Sequence, residues 1–426
     1  MTRTLYSLLL WLLLPFALAR LYWRSLESPA YRQRIGERLA LGARAPRTQI
    51  WIHAVSVGEV QAAEPLVRRL LAREPAPAIL VTTTTPTGAE RLRARFGDAI
   101  PHRYTPYDLP SLVGRFLDSV SPALVIVLET EIWPNTLAAC AARGVPVILA
   151  NARLSERSAR GYRRIARLTR DTLRDIDLIA AQSEADARRF VALGADSTRV
   201  QVTGSIKFDL RLPASLRDEA EVMRRRWGID RPIWVAASTH EGEDELLIEV
   251  QRRLRSRIPN ALLVLVPRHP ERFERVAELV KRVGLGLARR SCDDVCEART
   301  DVFLGDTMGE LPVFIAAADA AFIGGSLVPA GGHNLLEAAA VGVPVAIGPH
   351  HFNFAAITEL LCRAGGATIV ADPAALESTM IAWLSDATER ARIGENGRRV
   401  VDANRGALDR LMACVEERLP EQGVAV

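Results

Sequence analysis

The chain has 426 residues, which allows two or three domains, and its 49% hydrophobic content supplies large cores and excludes a disordered composition. A net charge of +5 and a pI near 9.2, carried by Arg far more than Lys, suit an anionic membrane surface or phosphate-bearing substrates. No helix-turn-helix, zinc-finger or aromatic RNA-binding signature accompanies that charge, so nucleic acid is not an expected partner. Five scattered cysteines argue against a disulfide framework and fit a reducing compartment, and Cys292 and Cys296 lack a second pair at zinc spacing.

Residues 5–19 form an uncharged, Leu-rich run of 15, shorter than the roughly 20 residues of an ideal membrane-spanning helix. It reads as a cleaved signal peptide (Ala17-Leu18-Ala19 has small residues at a cleavage spacing), an uncleaved anchor or a buried helix. Only Arg3 precedes it, whereas Arg20, Arg24, Arg32, Arg34 and Arg38 follow. The positive-inside rule then keeps the body cytoplasmic, and an uncleaved anchor over residues 1–20 is the expectation. Residues 20–47 are basic with interleaved Tyr22, Trp23 and Tyr31, a composition suited to the membrane interface or to a solvated linker.

From residue 49 strands and helices alternate. Strands are expected at 49–55, 78–84, 123–128, 145–150, 177–181 and 199–203. After a linker from Phe208 to about Ser215 come strands at 232–237, 261–266, 300–304, 320–323, 344–347 and 367–370, then a helical region over about 387–418. This pattern predicts two doubly wound α/β domains, 21–207 and 208–426, facing a cleft; the last helical region is one that can pack back on the first domain.

In such sheets ligands sit at the carboxyl ends of strands, where the polar residues here collect. The densest stretch is Gly324-Gly325-Ser326 through Gly331-Gly332-His333-Asn334-Leu335-Leu336-Glu337. Two glycine pairs permit tight turns and close approach to a ligand, a helix start favours a negative charge, and Glu337 lies one turn in from Asn334 to accept from ribose hydroxyls. The reading is a nucleotide-sugar pocket; the plainer alternative is a connection that only packs. Glu59, after His53, Ser56 and Gly58, and Glu129, at the end of six apolar residues, are carboxylates at strand ends. Apolar walls there raise a carboxyl pKa toward the range of a general base, although a helix cap is an equally ordinary use of Glu. Glu131 and Glu310 read more readily as first-turn charges.

Lys207 is placed to hold a departing phosphate or to be a hinge charge. Arg268, between Pro267 and His269-Pro270, suits phosphate recognition. The chain has no G-x-G-x-x-G and no P-loop. Asp175-Ile176-Asp177 stands where a basic helix ends, the wrong context for a metal–nucleotide site, so no catalytic metal and no cofactor are expected. Residues 153–174 carry eight arginines, read as one helix face that is either solvated or in contact with anionic lipid or acceptor phosphates.

These motifs together resemble the 3-deoxy-D-manno-octulosonic acid (Kdo) transferases of lipopolysaccharide synthesis. The matching pieces are His53-Ala54-Val55-Ser56-Val57-Gly58-Glu59, Glu129-Thr130-Glu131-Ile132-Trp133-Pro134, Gly204-Ser205-Ile206-Lys207-Phe208, Val266-Pro267-Arg268-His269-Pro270 and the stretch from Gly324 to Glu337. The resemblance implies a GT-B fold with the acceptor on the N-terminal domain and CMP-Kdo on the C-terminal one. It implies inverting, metal-independent transfer to a lipid A precursor at the cytoplasmic face of a cell inner membrane. It also implies Glu59 as base, Glu129 and Lys207 as transition-state stabilisers, and CMP held by Pro267, Arg268, Gly309, Glu310, Leu311, Asn334, Leu335, Leu336 and Glu337. Two alternatives stay open: another membrane-associated GT-B enzyme using a different nucleotide sugar, and a tethered sensor of anionic lipid without catalysis.

Overall fold

A computed structural model describes residues 1–41, 47–210 and 212–419. Residues 42–46 of the basic stretch, residue 211 of the linker and residues 420–426 lie outside the described residues. The chain forms two compact units. One is Met1–Asp209 with the chain from Arg405 on; the other is Leu210–Asn404.

The first unit opens with helix α1 (Arg3–Glu27), capped by the Thr2 hydroxyl accepting from the Leu5 amide. The helix is therefore longer than the uncharged run, because Arg20 and Arg24 continue it, and by length and composition it could cross a membrane. Its own sheet follows: β1 (Ile50–His53), then α2 (Val57–Leu71), β2 (Ile79–Thr83), β3 (His102–Tyr104) and β4 (Leu124–Leu128). Next come α3 (Pro134–Ala141), β5 (Val147–Ala152), α4 (Glu156–Arg163), α5 (Ala166–Arg174), β6 (Leu178–Ala181) and β7 (Val200–Val202). The strand order is β3-β2-β1-β4-β5-β6-β7, parallel throughout. Alternate residues feed opposite faces. Ile50, Ile52, Leu124 and Ile126 pack with Leu66 and Leu70 of α2, while Trp51, Val125 and Val127 pack with Phe116 and Leu117. Both faces are thus covered, which is why β4 is apolar at every position.

The second unit repeats the plan with β8 (Ile233–Thr239), β9 (Leu262–Pro267), β10 (Leu287–Arg289) and β11 (Val302–Leu304). It continues with α6 (Leu311–Ala316), β12 (Ala320–Ile323), α7 (Leu336–Ala340), β13 (Val345–Ile347) and β14 (Ala367–Ile369). The order is β10-β11-β9-β8-β12-β13-β14, again parallel.

Each sheet has one strand that the sequence reading passed over, β3 and β10. Both are three-residue edge strands carrying Arg (His-Arg-Tyr and Leu-Ala-Arg), without the apolar run that marks a buried strand. The arginine-rich segment is two helices, α4 and α5, broken at Arg164-Ile165, and not one continuous face. The final helical region is also two helices, Ala387–Asn404 in the second unit and α8 (Ala407–Glu416) in the first. The boundary drawn at 208–426 therefore differs from the compact units. Leu408, Leu411, Met412 and Val415 of α8 join the core made by α2 and the first sheet.

The turn into α8 is held by Asp209, whose carboxylate accepts from the Gly406 amide at 2.6 Å and the Leu408 amide at 2.5 Å. The carboxylate acts as a cap supplied from elsewhere in the chain, satisfying donors the helix start leaves unpaired. Asp209→Ala is expected to destabilise the first unit by about 1–2 kcal/mol, the usual worth of an N-cap. Differential scanning calorimetry would read this as a fall of a few degrees in that unit's transition, at about 2–4 °C per kcal/mol for its size.

Candidate functional site

In the first unit, Ser56 and Glu59 build the start of α2. The Ser56 hydroxyl caps the helix, accepting from the Glu59 amide at 3.4 Å. The Glu59 carboxylate reaches back to accept from the Val55 amide at 2.6 Å and the Ser56 hydroxyl at 3.2 Å. This is a variant of the capping box, so the plain structural use of Glu59 is real. It is not the whole account. Glu59 is only 8% exposed, and burial pushes its carboxyl up to about 8, with Glu131 and Glu129 adding repulsion, against the Val55 and Ser56 hydrogen bonds that lower it. A carboxyl with that pKa exchanges its proton near neutral pH, the property a general base requires.

Glu129 follows β4 directly and lies at φ +57°, a backbone region that side chains enter at a cost. Its carboxylate is 3.7 Å from the Lys207 ammonium. Lys207 stands on a short 3-10 turn, Ile206–Phe208, whose first amide donates to the Asn151 side-chain oxygen at 3.3 Å. Asn151 is itself buried at φ +52°, near the end of β5. The structure thus brings Glu129 and Lys207 together, and Asn151 positions the turn that carries the lysine. Asn151 lies just past the strand expected at 145–150; its sequence signal is the tolerance of Asn for a left-handed backbone.

Glu131 stays close to this group, accepting from the Trp133 indole at 2.6 Å, and burial pushes its carboxyl up, so it is more than a first-turn charge. His53 ends β1 with its Nδ1 at 3.0 Å from the Thr82 hydroxyl and 3.1 Å from that of Thr105. Its Nε2 is buried without a partner, and its ring meets Trp133 edge-on at 5.7 Å. Burial lowers its pKa to about 4, so the imidazole is neutral. The hydroxyl loop after β2 is structurally engaged: Thr82 accepts from Trp51, Thr83 meets His102, and Thr85 caps the next helix.

Asp177 of the D-x-D letters accepts from the Val147 amide at 2.8 Å, a strand-edge bond. Among the described residues, no three His, Cys, Asp or Glu side chains converge as metal ligands. The arginines of α4 and α5 are exposed, with loose ion pairs to Glu156 and Asp171 at 3.9 Å.

In the second unit the glycine-rich stretch runs from the end of β12 into α7, and its glycines serve the protein's own packing. A side chain at Gly324 would strike the backbone of Ser238 and Thr239, 2.7 Å away, and one at Gly331 would strike Asn353. Gly325 at φ +67° lies against both His240 and His333, whose Nε2 atoms are 2.8 Å apart. The amides of Gly325, Ser326 and Leu327 are likewise engaged within the protein. Glu243, fully buried, accepts from Gly325 at 2.6 Å, Ser326 at 2.9 Å, Leu327 at 2.8 Å and His240 at 2.9 Å. A carboxylate ringed by amides locks the loop at residues 325–327; the helix start at Asn334–Glu337, where an anion was expected, is not part of that ring. Glu243 has little in its neighbouring sequence to mark it: three of the four amides it holds lie more than eighty residues ahead.

The polar side chains that remain sit at one end of this sheet. Arg268 follows β9, and its charge acts on both Glu337 and His333. His333 is pushed down to about 4, chiefly by burial. Asn334 donates to Glu337 at 3.3 Å and accepts from the Leu336 amide at 3.1 Å, while burial raises the Glu337 carboxyl. Leu335 and Leu336 are buried in the core, so their side chains face no ligand. Glu310 stands at the start of α6 after Gly309 at φ +92°; its side chain does not cap the helix but is held by Arg290 at 2.9 Å and by the Thr307 hydroxyl.

Residues 33–210 match the family model described as 3-deoxy-D-manno-octulosonic-acid transferase (kdotransferase). A 3-deoxy-D-manno-octulosonic acid transferase of Haemophilus influenzae is 45% identical over 97% of this chain and 97% of its own. The chain belongs to the Kdo transferase family. A family member from Bordetella pertussis is 39% identical over 89% of this chain and 90% of its own. The fold is similar to the UDP-GlcNAc 2-epimerase of Neisseria meningitidis, with a TM-score of 0.57 at 13% identity, covering 87% of this chain and all of the other. The two parallel seven-stranded sheets with their covering helices have the GT-B arrangement, and as a Kdo transferase the chain is a glycosyltransferase.

Glu243→Ala would leave the amides of residues 325–327 without their acceptor. At about 1–3 kcal/mol for each buried donor left unpaired, a loss of roughly 2–4 kcal/mol in the second unit is expected after partial relaxation. Hydrogen exchange at residues 325–327 should then accelerate far more than in β8; unchanged protection there would show that the carboxylate does not hold the loop.

Proposed function

We propose that this chain transfers Kdo from CMP-Kdo to a lipid A precursor, with inversion and without a metal, at the cytoplasmic side of a cell inner membrane. The observation that carries the reading is the buried Glu59 carboxyl, pushed up to about 8 beside Glu129 and Glu131. Glu59 takes the proton of the attacking acceptor hydroxyl. Breaking the donor bond leaves positive charge on the sugar and negative charge on CMP. Glu129 stabilises the former; Lys207, held beside it, answers the latter. The donor's nucleotide is assigned to the second unit, through Pro267 and Arg268, the turn Gly309-Glu310-Leu311, and Asn334 through Glu337. In that assignment Leu335 and Leu336 contribute backbone only, since their side chains are buried. The domain roles follow: residues 21–207 serve the acceptor and 208–404 the donor, with α1 as the anchor and the exposed arginines of α4 and α5 facing anionic lipid.

The reaction is tested by incubating detergent-purified protein with fresh CMP-Kdo, tetraacylated lipid A precursor and chelator, and weighing the lipid product. A gain of one or more Kdo masses is expected; a gain only after divalent metal is restored would end the metal-independent reading. Transfer from UDP-sugars in place of CMP-Kdo would move the chain to another donor class.

The pH dependence has a definite sign. The base is the ionised carboxylate, so kcat/KM should climb with pH and level off above about 8. Glu59→Gln should abolish transfer while CMP binding persists. The folded state holds the Glu59 proton across the window from 4.5 to about 8, so this residue's contribution to stability falls as pH rises through it. The Gln variant should therefore match or exceed the wild-type Tm at pH 9, a result that separates lost chemistry from lost folding.

A further inference from the structure

A cavity of about 420 Å³ lies inside the first unit, between α1 and the segment that follows β4. That volume is in the range of about 300–1,000 Å³ typical of small-ligand pockets. Its apolar wall is Leu10, Leu14 and Ala17 of α1 on one side and Leu109, Ile132 and Trp133 on the other. Its lining also includes the carboxylates of Asp108 and Glu131. Asp108 is already committed: it accepts from the Asn135 and Thr136 amides at 3.0 and 2.7 Å and from the Tyr6 hydroxyl at 3.0 Å. Glu131 is one of the two carboxylates, with Glu129, whose charge acts on Glu59.

Helix α1 is pinned over this cavity by its first turns. Besides Tyr6 to Asp108, the Ser7 hydroxyl donates to Asn135 at 3.0 Å and Arg3 pairs with Asp175 at 4.0 Å. The half-buried positions Tyr6, Leu10, Leu14 and Ala17 recur at helical spacing, so one face of α1 looks onto the unit. The opposite face shows Leu8, Leu12 and Phe16 at 57%, 70% and 72% exposure. That is the geometry of a helix with hydrocarbon on its outer face. The cavity is therefore walled by an apolar helix and lined by a carboxylate that neighbours the base. Its occupant must be an amphiphile whose hydrocarbon part ends at a polar, reacting head.

Resting on the acceptor reading above, we propose that this cavity takes one acyl chain of the lipid acceptor, with α1 as its roof, and thereby sets the acceptor hydroxyl in register with Glu59. The helix is then part of the substrate site as well as an anchor.

The test uses the full chain in vesicles of phosphatidylcholine and phosphatidylglycerol. An acceptor carrying a diazirine in one acyl chain is photolysed and the labelled peptides are mapped. Label on Leu10, Leu14 or Ala17, or within residues 130–133, displaced by unlabelled acceptor and not by excess phosphatidylglycerol, is expected. Label displaced equally by phosphatidylglycerol would mean an ordinary membrane lipid fills the space and would overturn the proposal, as would label only on Leu8, Leu12 and Phe16. In parallel, Ala17→Trp and the milder Leu10→Phe fill the cavity. They should raise KM for the tetraacylated acceptor at least tenfold and leave KM for its deacylated form within about twofold. An equal loss on both acceptors, or no loss on either, would sink the acyl subsite. Wild-type protein that transfers Kdo to neither acceptor would instead refute the acceptor reading on which the subsite rests.

Discussion

In a fully parallel sheet every chain return needs a crossover, and the crossing helices cover both faces. That constraint governs both units. It forces the inner strands to be apolar on both sides, as β4 and β9 are, and collects the turns where strands end on one edge of each sheet. Carboxylates placed there meet apolar walls on one side and open loops on the other. Glu59, Glu129 and Glu131 all occupy such positions, and desolvation is the largest cause of the raised Glu59 carboxyl. The chemistry of the site is thus a consequence of strand direction before it is a consequence of any single residue.

Backbone strain gathers at the same edges. Glu129, Asn151 and Ser238 all adopt positive φ at or just past the carboxyl ends of β4, β5 and β8. A side chain held in that region costs energy that the surrounding packing must offset. Here it turns the chain sharply where an ordinary strand end would carry it away, leaving Glu129 within reach of Lys207 and letting Asn151 hold the lysine's turn. In the second unit the turn at Ser238 lets the backbone of Gly324 pass close, and Glu243 then binds the loop from below. Each unit therefore uses a buried polar residue, Asn151 or Glu243, to fix a loop that carries candidate site residues.

Helix α1 adds a third layer to the first unit. Because Tyr6 and Ser7 bond to Asp108 and Asn135, the apolar helix is tied to the same segment, at the start of α3, that follows Glu131 and Trp133. The apolar helix and the carboxylate cluster are joined by a few hydrogen bonds and one cavity.

Much of this was legible along the chain. The inner strands follow from apolar runs between turn signals, since a doubly covered strand must be apolar whatever its neighbours. The capping box around Glu59 is local, written in Ser56 and Glu59 three residues apart. What tertiary structure alone decided is whatever depends on partners distant in sequence. The edge strands β3 and β10 gain their identity from a neighbour's hydrogen bonds, not from their own composition. The return of α8 to the first core depends on Asp209 meeting an amide 197 residues later. The loop at Gly324 looked open in sequence because glycines have no side chains, whereas the space they leave is filled by Ser238, His240 and Asn353. Local residue types set which elements form; long-range packing and desolvation set which polar groups remain for chemistry.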